Sequence, residues 1–171
     1  TTDATVTQNV SLDPFMMNMT SLNVVPGDLS ASSVFSGLNL LLVKNDASEY
    51  YVPDFDVDQI GNISSDEGYK LFLNGASGQV LTATGAPLSG GTVMLEAFMM
   101  NLLPYLPQDC MSTLDVFSGF EDNLLLVKDD QSDYYVPSFG VETLSTMCPG
   151  EAYAVFLSGA SDVSFTYPMG G

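Results

Sequence analysis

The sequence predicts a mainly β fold of two tandem, homologous β-sandwich or barrel-like repeats, each with one short helix. Three observations predict it. The first is that the chain is written twice. Phe15-Met16-Met17-Asn18 returns as Phe98-Met99-Met100-Asn101, and Val34-Phe35-Ser36-Gly37 as Val116-Phe117-Ser118-Gly119. Leu40-Leu41-Leu42-Val43-Lys44 returns as Leu124-Leu125-Leu126-Val127-Lys128, and Tyr50-Tyr51-Val52-Pro53 as Tyr134-Tyr135-Val136-Pro137. Self-similarity at a fixed spacing means similar structural units in one chain. The second observation is a series of short apolar runs bounded by Gly, Pro, Asn and Asp, which reads as strands and turns. The third is that 46% of the 171 residues are hydrophobic, enough for two modest cores. The predicted organisation is an N-terminal extension over 1–9, a repeat over 10–85, a Gly- and Pro-rich linker over 86–92, and a second repeat over 93–169.

Each repeat is expected to open with a strand, Val10-Ser11-Leu12 or Val93-Met94-Leu95. A second apolar segment follows, Met16 to Val25 or Met99 to Leu106. Its methionines are expected to fill core gaps beside Phe15 and Phe98, because an unbranched thioether suits irregular packing. A short helix comes next. Asp28 or Ser30 can cap the first and Gly37 end it; Ser112 and Asp115 stand at capping-box spacing in the second, with Gly119 at its end. Leu40 to Val43 and Leu124 to Val127 are apolar at every position, which predicts strands buried on both faces. The Asp- and Asn-rich turns after them, Lys44 to Ser48 and Lys128 to Ser132, lead into Tyr-Tyr-Val-Pro, so each pair reads as a hairpin. One tyrosine of each pair should face the core and the other solvent. Phe55, Val57 and Ile60, like Phe139, Val141 and Leu144, line an irregular connection. Tyr69 to Leu73 and Tyr153 to Leu157 form the next strands, and Val80 to Ala83 and Val163 to Tyr167 close the repeats.

The extension has no counterpart in the duplication. Ala4, Val6 and Gln8 fall on one face of an extended segment that carries no lysine or proline to discourage pairing. It could pair within its own repeat, or act as a donor strand that adds to the next subunit.

The net charge is −18, from 21 acidic residues against three lysines, with no arginine and no histidine. Phosphate-binding surfaces need basic side chains, so nucleic acid and anionic membrane are poor partners. No apolar run approaches the ~18 residues needed to span a bilayer, so no membrane insertion is expected. Cys110 and Cys148 are the only cysteines, and both lie in the second repeat. Their joint absence from the first reads as a disulfide, with two buried thiols as the alternative. A disulfide implies an oxidising compartment.

A V-x-L opening, Ser-Leu-Asn-Val at 21–24, Ser-Val-Phe at 33–35, Leu-Val-Lys with Asp46 close behind, Tyr-Val-Pro-x-Phe-x-Val at 51–57 and Glu-Gly-Tyr-Lys at 67–70, with their partner segments in the second repeat, span most of the chain. This pattern resembles tandem β-rich modules of large secreted surface proteins of Bacteroidetes-type bacteria. Those modules usually open with Gly-Trp, where this chain has Phe-Met-Met. The resemblance implies secretion and a role in adhesion, matrix or assembly.

No enzyme is expected, since neither a histidine nor a Gly-x-Ser-x-Gly nucleophile motif is present. Calcium is the leading ligand expectation, because it takes six to eight oxygens. Asp54, Asp56 and Asp58 alternate, and Asp129, Asp130 and Asp133 crowd one turn; solvated turns are the plainer alternative. Asn9, Asn18 and Asn62 open glycosylation sequons. Together these observations predict an extracellular or cell-surface structural or adhesive protein, a self-assembling homopolymer in filaments or arrays that requires no cofactor. The alternative is a calcium-dependent carbohydrate-binding module that recognises surface glycans.

Overall fold

The Leu-Leu-Leu-Val tetrapeptide that recurs at 40–43 and 124–127 lies at the centre of each of two five-stranded antiparallel sheets. The computed structural model describes residues 4–168. The first half contains β1 (Val6–Leu12), β2 (Met17–Thr20), β3 (Val24–Pro26), α1 (Ala31–Val34), β4 (Leu40–Lys44), β5 (Tyr50–Val52), β6 (Val57–Asp58), β7 (Tyr69–Leu73) and β8 (Gln79–Pro87). The second contains β9 (Thr92–Leu95), β10 (Met100–Pro104), β11 (Met111–Ser112), α2 (Thr113–Val116), β12 (Leu124–Lys128), β13 (Tyr134–Val136), β14 (Val141–Glu142), β15 (Thr146–Met147), β16 (Ala152–Leu157) and β17 (Val163–Thr166). The fold is mainly β.

The five-stranded sheets have orders β2-β7-β4-β5-β6 and β10-β16-β12-β13-β14. Their registers agree at the duplicated motifs: Met17 and Leu42 flank Phe72, as Met100 and Leu126 flank Phe156. A smaller layer covers one face of each, β1-β8-β3 in the first half and β9-β17 in the second. Between the layers Val10, Leu12, Val24, Leu81 and Ala83 meet Leu40, Val43, Leu71 and Leu73. In the second half Val93, Leu95 and Phe165 meet Leu124, Val127, Val155 and Leu157. Burying one face of each sheet in this way is what makes a two-layer β unit stable.

The tetrapeptides are not buried on both faces. Register shifts between Leu40 and Leu42, and between Leu124 and Leu126. The extra residue of a β-bulge resets the alternation. Leu40 and Val43 therefore both point inward, while Leu41 is 41% exposed and Leu42 half-buried on the other side. The hairpins behave as expected: Tyr51 and Tyr135 stack on Phe35 and Phe117, whereas Tyr50 and Tyr134 lie under Lys44 and Lys128.

Both helices are four residues long. Ser112 Oγ accepts from Asp115 N–H at 3.1 Å, the expected cap. Ser30 occupies the cap position of α1 without a side-chain bond to the helix, its hydroxyl donating instead to Asp28 Oδ1 at 2.8 Å, and the helix ends at Phe35, two residues before Gly37. Strands also run further than the sequence suggests. β8 continues to Pro87 and β9 starts at Thr92, so only 88–91 remain as linker between them. Gly85 allows β8 to lie against β3; a Cβ there would come 2.0 Å from the Val25 carbonyl oxygen.

The halves are joined by reciprocal contacts. Met19 N–H donates to Asp130 Oδ2 at 2.8 Å, and Leu102 N–H donates to Asp46 Oδ2 at 2.8 Å. Each hairpin turn thus satisfies an edge-strand amide of the other half. Met19, Leu102, Ala152 and Ala154 form a small shared core. Gly68 sits against it, where a Cβ would lie 2.6 Å from Leu102 Cγ. Ser21 adds further links, donating its amide to the Gly150 carbonyl at 3.2 Å and its hydroxyl to the Glu151 carbonyl at 2.6 Å.

Candidate functional site

The acidic turns hold backbone. Asp129 Oδ1 accepts from the amides of Gln131 and Asp133 at 2.9 and 2.8 Å, closing its own hairpin. Asp130 spans to β2, as described. In the other hairpin Asn45 takes the place of Asp129, accepting from Glu49 N–H at 2.9 Å. Asp54, Asp56 and Asp58 are exposed around a single 3-10 turn, and Asp58 accepts from Gly61 N–H at 2.8 Å. The first trio follows the hairpin of one half and the second occupies the hairpin of the other. Among the described residues, no three His, Cys, Asp or Glu side chains form a group able to hold a metal ion. Burial raises the carboxyls of Asp46 and Asp130 above the usual range, against the lowering effect of the amides they bind.

A cleft of about 590 Å³ between the halves is lined by Asp46, Asp66, Glu67 and Glu96 with Ser64 and Asn101. Its carboxylates are partly committed, since Glu67 accepts from the Tyr69 hydroxyl at 3.0 Å and Asp46 from Leu102. Glu151 corresponds to Glu67 in the duplication, and its carboxyl is pushed up to about 7 by burial, then by Asp130, Asp129 and Asp13.

Cys110 and Cys148 form a disulfide, 38 residues apart in sequence. Of the sequon asparagines, Asn9 is exposed and accepts from Thr82 Oγ1 at 2.9 Å, and Asn62 is exposed. Asn18 is buried, and its amide nitrogen donates to the Asp13, Met16 and Leu71 carbonyls. A glycan cannot be attached there in this fold. The signal was present in the sequence: Asn18 returns as Asn101 while the sequon threonine, Thr20, returns as Leu103. Asn101 makes the matching bonds to Glu96, Met99 and Val155.

The N-terminal segment is paired within its own half. Val6 to Asn9 continue β1 and face Gly85 to Thr82 of β8. Ala4 precedes the strand and is exposed, and Gln8 is buried, its Oε1 accepting from Asn23 N–H at 3.0 Å. Residues 1–3 of the expected donor strand lie outside the described residues.

The Phe-Met-Met motifs are not core. Phe15 is 73% and Phe98 75% exposed, and both adopt φ +64°. Because Asn18 and Asn101 point inward to bond the backbone, the neighbouring Met17 and Met100 point outward and are exposed. A left-handed backbone is costly for a bulky side chain, by about 1 kcal/mol or more, and here neither burial nor side-chain hydrogen bonding offsets it.

These methionines begin an apolar row. Directly opposed residues in antiparallel strands share a face. Met17 pairs with Phe72, Phe72 with Leu42, and Val52 with Val57; extending the β4–β5 register by one residue sets Val52 beside Leu42. The row Met17–Phe72–Leu42–Val52–Val57 crosses all five strands on the side away from the core, about 19 Å at the usual strand spacing. Met100–Phe156–Leu126–Val136–Val141 does the same in the second sheet. Phe55 and Phe139, 77% and 80% exposed, stand on the 3-10 turns between the last two members of each row. Periodicity missed these rows because the bulge breaks the alternation and places two consecutive leucines outward.

The next position along each sheet carries the cations. Met19, Lys70, Lys44 and Tyr50 are opposed in one sheet, and Leu102, Ala154, Lys128 and Tyr134 in the other. All three lysines of the chain therefore lie on these outer faces. Met17, Met100, Lys70, Lys128, Asp129 and Asp130 line one groove of about 240 Å³, so both rows start from a shared groove. The chain matches no protein-family model, no curated protein and no solved structure.

Proposed function

We propose that the chain is a non-catalytic structural protein of an extracellular or cell-surface setting that works by associating with copies of itself, as a subunit of a filament or surface array. The observation that carries this reading is the pair of outward apolar rows, each edged by an exposed phenylalanine. Exposed apolar patches of more than a few hundred Å² mark interaction surfaces. The rows are built of Phe, Met, Leu and Val, without the hydroxyl and amide groups that sugar recognition needs, which favours a protein partner over a glycan. The disulfide supports an oxidising compartment. Since Val6 to Leu12 already pair with β8, the reading puts the contact on the sheet faces and not on strand exchange.

Sedimentation velocity from 1 µM to 1 mM, with negative-stain microscopy of the same samples, tests the reading. Assemblies that grow with concentration are expected. A monomer across the whole range would overturn it.

A further inference from the structure

The two apolar rows differ in their flanking charge. In the first half Phe55 stands between Asp54 and Asp56, with Asp58 beyond. In the second half Phe139 stands between Ser138 and Gly140, with Glu142 as the only acid nearby in sequence. Two first rows facing each other would bring six aspartates together around the phenylalanines. A first row facing a second row would not.

The rows also differ from the rest of the surface. The chain carries 18 surplus negative charges, yet its three lysines are all on the outer faces, Lys70 and Lys128 in the groove with Asp129 and Asp130, and Lys44 and Lys70 near Asp46. The lysines offset these three acids, while Asp54, Asp56 and Asp58 leave the far end of the first row acidic. A second copy of so acidic a chain is therefore repelled less near the lysines and the second row than around Phe55.

The exposed area is of the right size. Four phenylalanines at about three-quarters exposure contribute on the order of 600 Å². Met17, Met100, Leu41, Leu125, Val57 and Val141, each about two-fifths exposed, bring the exposed apolar area of the two rows and the phenylalanines near their ends to roughly 900 Å². A standard stable interface buries about 800 Å² per partner. One row alone falls short of that figure; both rows together reach it, and both open from the groove that holds Met17 and Met100.

We propose that the outer faces form a homodimerisation surface, on which a second copy of this chain lies face to face so that the first row of each copy covers the second row of the other. Such an interface is isologous, because each contact is made twice by exchange of the copies, and it closes at two, so the dimer is the unit and a filament or array grows from it through contacts outside the rows. It buries the strained Phe15 and Phe98 together with Phe55 and Phe139. The inference rests on the self-association reading and gives it a surface.

The test uses the full chain in sedimentation equilibrium at 0.15 M salt. Wild type is expected to be dimeric at 100 µM. Phe55→Ser/Phe139→Ser removes side chains that are already exposed, so its melting temperature should hold while dimerisation weakens by at least 100-fold. Val80→Ser/Met94→Ser, which alters exposed apolar residues of the smaller layers, should leave the dimer unchanged. Ser138→Asp sets an acid opposite Asp54 of the other copy and should weaken the dimer at least 10-fold at low salt, less at high salt. A dimer insensitive to the phenylalanine changes overturns the surface while leaving self-association standing. A dimer broken by the phenylalanine changes but indifferent to Ser138→Asp overturns the crossed pairing of rows. A wild-type monomer at every concentration overturns both the surface and the reading on which it rests.

Discussion

Replacing Glu151 by glutamine should stabilise the protein above neutral pH and do nothing at pH 4.5. Glu151 lies where the halves meet: its backbone carbonyl accepts from Ser21 and it bridges Thr20. Burial, then the carboxylates of Asp130, Asp129 and Asp13, lift its carboxyl from 4.5 to about 7. Below the unfolded value both states are protonated and nothing is lost. As pH rises, the unfolded chain ionises first, and folding must then either hold the proton or bury a charge. The penalty grows between about pH 4.5 and 7 and is complete above that. A shift of this size corresponds to on the order of 3 kcal/mol, which partial exposure and salt reduce to roughly 1–3 kcal/mol. Glutamine has the same shape without the charge. Urea denaturation of wild type and Glu151→Gln at pH 4.5, 6, 7 and 8 measures the difference, in which the other carboxylates cancel. The variant is expected to match wild type at pH 4.5 and to gain roughly 1–3 kcal/mol by pH 8. A difference that does not change with pH, or a variant less stable at pH 8, would show that the ionised Glu151 is well solvated and the reasoning wrong.

Asp130→Ala leaves the Met19 amide without its acceptor between the halves and should cost about 1–3 kcal/mol in urea denaturation, whereas Asp130→Asn, which keeps an acceptor, should cost less than half as much. Reduction of Cys110–Cys148, or the double change to serine, should lower stability by about 3–4 kcal/mol, the loop-closure value for a separation of 38, read from the shift of the denaturation midpoint. Phe15→Asn relieves a left-handed backbone at an exposed site and should raise the stability of the monomer by about 0.5–1 kcal/mol while weakening self-association in the same sample.

Much of the fold was legible because the duplication marks element boundaries twice. The hairpins, the inward tyrosines, the Ser112 cap and the disulfide follow from turn composition, alternation and the lone cysteine pair. What was not legible came from local events that a residue pattern does not encode. A single bulged leucine turned an apparently two-sided buried strand into one inward face and one outward row. A left-handed residue at Phe15, followed by an inward asparagine, reversed the expected direction of the methionines. The backbone role of the turn acids was not legible either: the amides that Asp130 and Asp46 accept from, Met19 and Leu102, lie 111 and 56 residues away and are found only by folding the chain.

Positions identical in both halves divide into two groups with different causes. Asn18 and Asn101, Val43 and Val127, and Tyr69 and Tyr153 are buried, and core packing or backbone bonding accounts for each pair. Phe15 and Phe98, and Phe55 and Phe139, are three-quarters exposed, and folding accounts for neither. A phenylalanine at φ +64° in water loses stability compared with asparagine or glycine, and this is so twice in one chain. Positions that differ between the halves point the same way. Lys70 faces Ala154 across the duplication, and Asp54 and Asp56 face Ser138 and Gly140, so charge varies while the aromatic between them stays. In an assembly that apposes a first row to a second, a shared apolar row supplies the attraction and unlike flanks limit repulsion. Retained phenylalanines with divergent flanking charge are what that division of labour requires.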